Sequence, residues 1–201
     1  AQEAERQFAG NTRGIGVGAG KSPASPEAKE LPSYTPSDKS LLRLSSDSFV
    51  AAAQVATRLG DPRALSYAWG CLGTLLEKEG RYGEALNFTR QAAFAAQKGN
   101  VPESLYRWQW QTARLLKASG KEDDAIAAYR RAVSILKPIR YEYSVGYQGR
   151  HHSFHDSVAP LFTELEDTLL RRAAVAQSPE ETQQLLIQVR DTVETSRTAE
   201  L

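Results

Sequence analysis

A chain made only of α-helices, stacked as antiparallel hairpins, is what this sequence predicts, and three observations carry the prediction. The first is internal repetition. Gly80-Arg81-Tyr82-Gly83-Glu84-Ala85-Leu86 lines up with Gly120-Lys121-Glu122-Asp123-Asp124-Ala125-Ile126, and Leu76 meets Leu116, Arg90 meets Arg130 and Ala92 meets Ala132 at the same offset of 40 residues. Self-similarity on that scale marks a repeated supersecondary unit. The second is periodicity: Trp69, Leu72, Gly73 and Leu76 fall at i, i+3, i+4 and i+7 of one helical face. The third is residue size, since each repeated glycine permits a tight turn between helices and each repeated alanine lets two backbones approach.

Taken in chain order, residues 1–39 read as a flexible leader. Residues 1–9 can make a helical stub, but Gly10, Gly14, Gly16, Gly18 and Gly20 follow, and then Pro23, Pro26, Pro32 and Pro36. Glycine raises the entropy cost of ordering and proline removes backbone donors. Helical repeats are expected over residues 40–139. Leu41, Leu42, Leu44, Phe49, Ala52, Ala53, Ala56 and Leu59 recur at amphipathic spacing, Gly60-Asp61-Pro62 supplies a stop and a turn, and a second helix runs from Arg63 to Lys78.

Residues 140–155 read as a connecting loop and 156–201 as a C-terminal helix pair. The first helix of that pair is expected from Ser157 to Ala176, using Leu161, Phe162, Leu165, Leu169 and Leu170, with Pro160 confined to its first turn. Ser178-Pro179-Glu180-Glu181 then reads as an N-cap, a proline at the first helical position and a capping-box acid, ahead of a stripe made by Leu185, Leu186, Val189 and Val193.

Composition narrows the function. Lys and Arg number 25 against 24 Asp and Glu, which argues against a general nucleic-acid binder. No apolar run approaches the ~20 residues that span a bilayer, so no membrane association is expected. The lone cysteine, Cys71, has no partner for an internal disulfide and supports no thiolate zinc site, so it is expected to pack as a small apolar residue. The chain starts at Ala1 and holds no methionine, which suggests a fragment or a processed product. The cytoplasm is the favoured compartment, with the periplasm and secretion as alternatives.

Trp69, Leu72, Gly73 and Leu76, followed by Gly80, Tyr82, Ala85 and Ala92, resemble the tetratricopeptide-repeat signature. The second copy is looser, with Gln109, Thr112, Ala113 and Leu116, then Gly120, Ala125, Tyr129 and Ala132. The resemblance implies a right-handed stack of hairpins that binds peptides or protein segments and has no catalytic role. A period of 40 exceeds the ~34 usual for that family, so extra turns or loops are expected around Lys98–Glu103 and Lys137–His155. Lys137-Pro138-Ile139-Arg140, Ser153-Phe154 and the run from Arg190-Asp191-Thr192-Val193-Glu194 to Leu201 are similar to repeat regions that precede caspase-like CHAT domains. That similarity implies a sensing or recruiting role within a larger CHAT-type protein.

Several local patterns compete as sites. Gly14 to Ser22 looks like a phosphate-binding loop, but the motif needs glycine where Ile15 stands and needs a preceding strand. His151, His152 and His155 lie beside Asp156, and imidazole with carboxylate is a competent ligand set for zinc or nickel. A metal-responsive regulatory module built on those histidines is therefore the alternative function. Ser153 with the histidines, or Cys71 with them, lacks any sign of a positioned base and oxyanion site, so no enzyme activity and no cofactor are expected. The strongest lead is Arg107, Trp110 and Arg114, spaced three and four apart on the face that tetratricopeptide repeats turn toward their groove. Tryptophan supplies contact area and arginine clamps carboxylates, which points to an acidic peptide as partner. Trp108 is expected to pack between helices. The residues of a chaperone-tail carboxylate clamp are replaced by Tyr67, Gly70 and Thr74.

Overall fold

The computed structural model describes the backbone of residues 38–146 and 151–197 and the side chains of 40–139 and 157–197. The leader expected over residues 1–39 lies almost wholly outside the described residues. Among the described residues there are seven helices and no strand: α1 (Asp38–Leu59), α2 (Pro62–Lys78), α3 (Tyr82–Lys98), α4 (Pro102–Ala118), α5 (Glu122–Gly146), α6 (His151–Ala174) and α7 (Pro179–Arg197). Each packs on its neighbours in sequence, with α2 on α3, α4 on α5 and α6 on α7 as hairpins, and α2 also reaches α4. The fold is an all-α stack of helical hairpins.

Turn chemistry sets the rhythm. Gly60, Gly80 and Gly120 sit at φ of +65°, +74° and +72°, and Asn100 takes the equivalent place at +50°. Left-handed backbone at a helix C-terminus lets the following amide reach back to an orphan carbonyl. Asp61, Arg81, Val101 and Lys121 each donate such a bond, to Ala56, Leu76, Ala96 and Leu116, at 2.9–3.0 Å. Four successive turns thus share one construction at intervals of twenty residues. Asp61 then caps α2, its Oδ1 accepting from the Ala64 amide at 3.0 Å, with Pro62 at the first helical position.

The long period has a different source from the one expected. Lys98–Glu103 carries no extra loop. Helices α2, α3 and α4 are each 17 residues long, and three-residue turns join them, so helix length alone carries the period to 40. Both ends of the segment read as a connecting loop over 140–155 are also helical, since α5 continues to Gly146 and α6 begins at His151. Pro138 and Pro160 therefore stand inside helices. Burial of Leu161, Phe162, Leu165 and Leu169, each at 3% exposure or less, offsets the ~3 kcal/mol that an interior proline costs.

Among the described residues the core falls into three clusters and is built from small residues where helices cross. Ala85, Ala92, Ala96, Ala113, Ala125, Ala128 and Ala132 are fully buried, and larger groups fill the space between them. Trp69 of α2 stacks on Phe88 of α3, ring centroids 5.3 Å apart. Trp108 of α4 is buried against α2, as the sequence predicts, and its indole donates to the buried Ser66 hydroxyl at 2.7 Å. Gly70 is required there because a Cβ would run into the Trp108 ring. At the C-terminal hairpin, Leu185 and Val189 pack on the core, but Leu170 and Leu186, expected in the buried stripes, are 48% and 47% exposed. They fall one position off the packed positions Leu169 and Leu185, a rotation of about 100° around the helix.

Candidate recognition face

Helices α2, α4 and α6 form one row, and side chains bridge it at every step. Arg114 of α4 reaches Glu77 of α2 through two bonds, Nε to Oε1 at 2.8 Å and Nη2 to Oε2 at 3.0 Å. This is a bidentate guanidinium–carboxylate pair, the geometry that adds specificity as well as strength. Gln111, one turn back, donates from Nε2 to Thr74 Oγ1 at 3.0 Å and to Glu77 Oε2 at 3.3 Å.

On the other side of α4, the Trp110 indole donates to Glu164 Oε2 of α6 at 2.8 Å. The Tyr129 hydroxyl of α5 donates to the same oxygen at 3.0 Å. Lys117 Nζ meets Asp167 of α6 at 2.6 Å, and Arg171 shares that carboxylate at 3.1 Å.

The three residues singled out by spacing do share a face, in three different states. Arg114 lies over the Trp110 ring with its guanidinium carbon 5.3 Å from the centroid, a cation–π contact. Its side chain is one-third exposed. Trp110 is half-buried. Arg107 is exposed, bonds the Tyr106 hydroxyl at 3.3 Å and lies over that ring at 5.9 Å. Arg107 is thus the more exposed cation of the strip and is held by Tyr106, while Glu77 holds Arg114 and Glu164 holds Trp110.

Electrostatics follow from these pairings. Burial works against the Arg114 charge, but the bonds to Glu77 outweigh it and the guanidinium pKa is raised. Burial first, and then the Glu164 carboxylate beside it, push the Tyr129 phenol well above its ordinary value. The bond from Lys117, supported by Arg171, holds Asp167 below the ordinary aspartate value. Burial raises the Cys71 thiol, with Arg107 opposing it, so Cys71 stays a thiol at neutral pH.

Glu77, Glu164 and Gln111 are among the participants that the sequence did not single out. Glu77 and Glu164 lie 37 and 54 residues from their partners, and periodicity carries no signal for pairs at that distance. Gln111 is 1% exposed and its Oε1 has no partner among the described atoms. Its amide orientation is fixed by its neighbours: the Thr74 hydroxyl spends its hydrogen on the Gly70 carbonyl at 3.0 Å, and Glu77 is an acceptor, so both face the NH2 side.

His151, His152 and His155 fall in the first turns of α6, and their side chains lie outside the described residues. Among the described residues no three His, Cys, Asp or Glu side chains come together as a metal site, and no helix is long and apolar enough to cross a membrane. Compared with protein-family models and with curated proteins, the chain matches none.

Proposed function

We propose that this chain is a noncatalytic protein-binding module of the tetratricopeptide-repeat kind, taking a peptide or protein segment along the row of α2, α4 and α6. Within that reading it is a regulatory part of a larger CHAT-type protein. The observation that carries the proposal is the clamping of the α4 strip from both sides. Glu77 holds Arg114 and Glu164 holds Trp110, so a ligand meets side chains already ordered, and less entropy is lost on binding. The polarity of the ligand follows from the exposed cation of the strip. Arg107, held by the Tyr106 hydroxyl, lies at the surface, where its charge attracts an acidic segment over a short range.

The test is selection from a peptide library of varied charge with the whole chain as bait. Enrichment of acidic sequences by the parent, lost with Arg107→Ala and with Trp110→Ala, is the expected result. No enrichment, or enrichment indifferent to both substitutions, rejects this face as the recognition surface.

A further inference from the structure

The arginine of the strip that is best shaped to clamp a carboxylate is already clamping one. Arg114 sets Nε and Nη2 on the two oxygens of Glu77, at 2.8 and 3.0 Å, the forked geometry by which guanidinium groups select acidic ligands. Gln111 adds a third N–H to the same carboxylate, Nε2 to Oε2 at 3.3 Å, and is itself held by Thr74. The pairing crosses between repeats. At the 40-residue offset Glu77 corresponds to Lys117 and Thr74 to Arg114, so α2 carries a carboxylate and a small hydroxyl where α4 carries two cations.

The pair is open enough to exchange partners. Side-chain exposure is 33% for Arg114 and 19% for Glu77, so a carboxylate in solution can reach the guanidinium while Glu77 stays tethered beside it. A tethered group competes at an effective concentration on the order of millimolar, which a dilute acidic segment does not match.

We propose that Glu77 is an internal competitor for the acidic segment: it occupies the forked edge of Arg114, and a ligand carboxylate takes that edge only by displacing it. The inference rests on the reading of the α4 strip as a recognition face and adds an autoinhibitory contact to it. Trp110 is not withheld in the same way. Glu164 takes only its indole N–H, and the ring carries the Arg114 guanidinium 5.3 Å from its centroid. Displacing Glu77 therefore leaves Arg114 seated on Trp110, still oriented for a second carboxylate.

The probe is a fluorescein-labelled hexaglutamate peptide, titrated with the whole chain and read by anisotropy, with hexaglutamine as the neutral reference. Glu77→Gln should bind it about tenfold more tightly than the parent, the equivalent of one charge-assisted bond no longer made internally. Glu77→Ala removes the competing group altogether and should gain at least as much. Arg114→Ala in either background should return affinity to the parental level or below. Asp123→Asn deletes one negative charge at an 80% exposed side chain paired with Arg172. It should shift affinity less than about twofold, which separates release of Arg114 from a change in net charge.

Thermal melts accompany each variant, and where Glu77→Ala lowers the helical signal, Glu77→Gln, which keeps the side chain's shape, is read instead. The inference is overturned if folded Glu77 variants bind with parental affinity, if Asp123→Asn gains as much as they do, or if the gain survives removal of Arg114. A parent whose binding falls with Arg107→Ala but does not respond to Glu77→Gln keeps the recognition face and loses the competitor. Gains at Glu77 that depend on Arg114 but are indifferent to Arg107→Ala and Trp110→Ala keep the competitor and reject the wider strip. Absence of binding by the parent and by every variant overturns both.

Discussion

Trp110 and Tyr129 donate to one and the same oxygen, Glu164 Oε2, at 2.8 and 3.0 Å. A single carboxylate of α6 thus ties α4 to α5, and the two donors should be coupled. Hydrogen bonds to a charged group contribute ~1.5–3 kcal/mol, and Trp110→Phe and Tyr129→Phe should each cost toward the lower end of that range, since the remaining donor still satisfies the oxygen. The double variant leaves the carboxylate without either and should lose more than the sum of the two. Urea unfolding of the four proteins measures this, and strict additivity would show that Glu164 does not link them.

Asn100 is the one residue other than glycine at positive φ among the described residues. Asparagine tolerates that backbone better than other side chains do, but not as well as glycine. Asn100→Gly should therefore leave stability equal or raise it by up to ~1 kcal/mol, and Asn100→Ala should lower it by ~1 kcal/mol. Thermal melts giving the reverse order would mean that the turn does not have the form shared with Gly60, Gly80 and Gly120.

Gly70→Ala should lower stability by ~1–3 kcal/mol, the ordinary cost of overpacking. The added methyl runs into the Trp108 ring, which is 6% exposed and held by Ser66, so it has little freedom to turn away. Gly83→Ala, where a Cβ meets nothing within 4 Å, should be neutral or mildly stabilising. Equal melting temperatures for the two variants would contradict the close approach of α2 and α4.

Much of this fold was legible because it is local. Gly60-Asp61-Pro62, the paired Gly80 and Gly120, and Ser178 with Pro179 each announce a helix boundary within a few residues, and the Glu181 amide does donate to Ser178 Oγ at 3.1 Å. The prolines misled for the complementary reason. Local propensity places Pro160 at a helix start, whereas the packing of Leu161, Phe162 and Leu165 against α5 and its neighbours is a tertiary gain that no short window contains. The α4 strip was half legible. Spacing put Arg107, Trp110 and Arg114 on one face, but only the stack brings Glu77 to Arg114 and Glu164 to Trp110, so only the structure separates the half-buried, ion-paired arginine from the exposed one.

Acid should loosen the α4–α6 bridge. The folded-state pKa of Asp167 lies below its ordinary 3.8 because of Lys117, with Arg171 adding to it. A carboxylate depressed in the folded state contributes stability that is present above the unfolded pKa and lost as pH falls through the folded one. Asp167→Asn should accordingly cost under ~1 kcal/mol at pH 7, as expected for an ion pair with solvent access. The gap between variant and parent should close as pH drops below 3.8. A gap that stays constant in urea midpoints down to full protonation would mean that Asp167 is not stabilised by Lys117.

Arg107 and Arg114 share a strip but should answer differently to the same substitution. Arg114 is bound bidentately to Glu77, whose side chain is only 19% exposed. Removing the guanidinium leaves that carboxylate with Gln111 alone, and Arg114→Ala should lower stability by ~1–3 kcal/mol. Glu77→Gln should cost less in the Arg114→Ala background than in the parent, because the pair is then already broken. Arg107 is exposed, and Arg107→Ala should shift stability by no more than ~0.5 kcal/mol. Binding should sort them the other way. Affinity for an acidic peptide should fall with Arg107→Ala at low salt and converge on the parental value as salt screens the exposed charge over a Debye length of ~10 Å at 0.1 M. Trp110→Ala should weaken the same binding at every salt concentration, since what it removes is contact area. Calorimetry with melting temperatures measured alongside distinguishes the outcomes. An Arg114 variant as stable as the parent would break the clamp argument, and a salt-independent Arg107 effect would show that its role in recognition is not attraction to acidic groups.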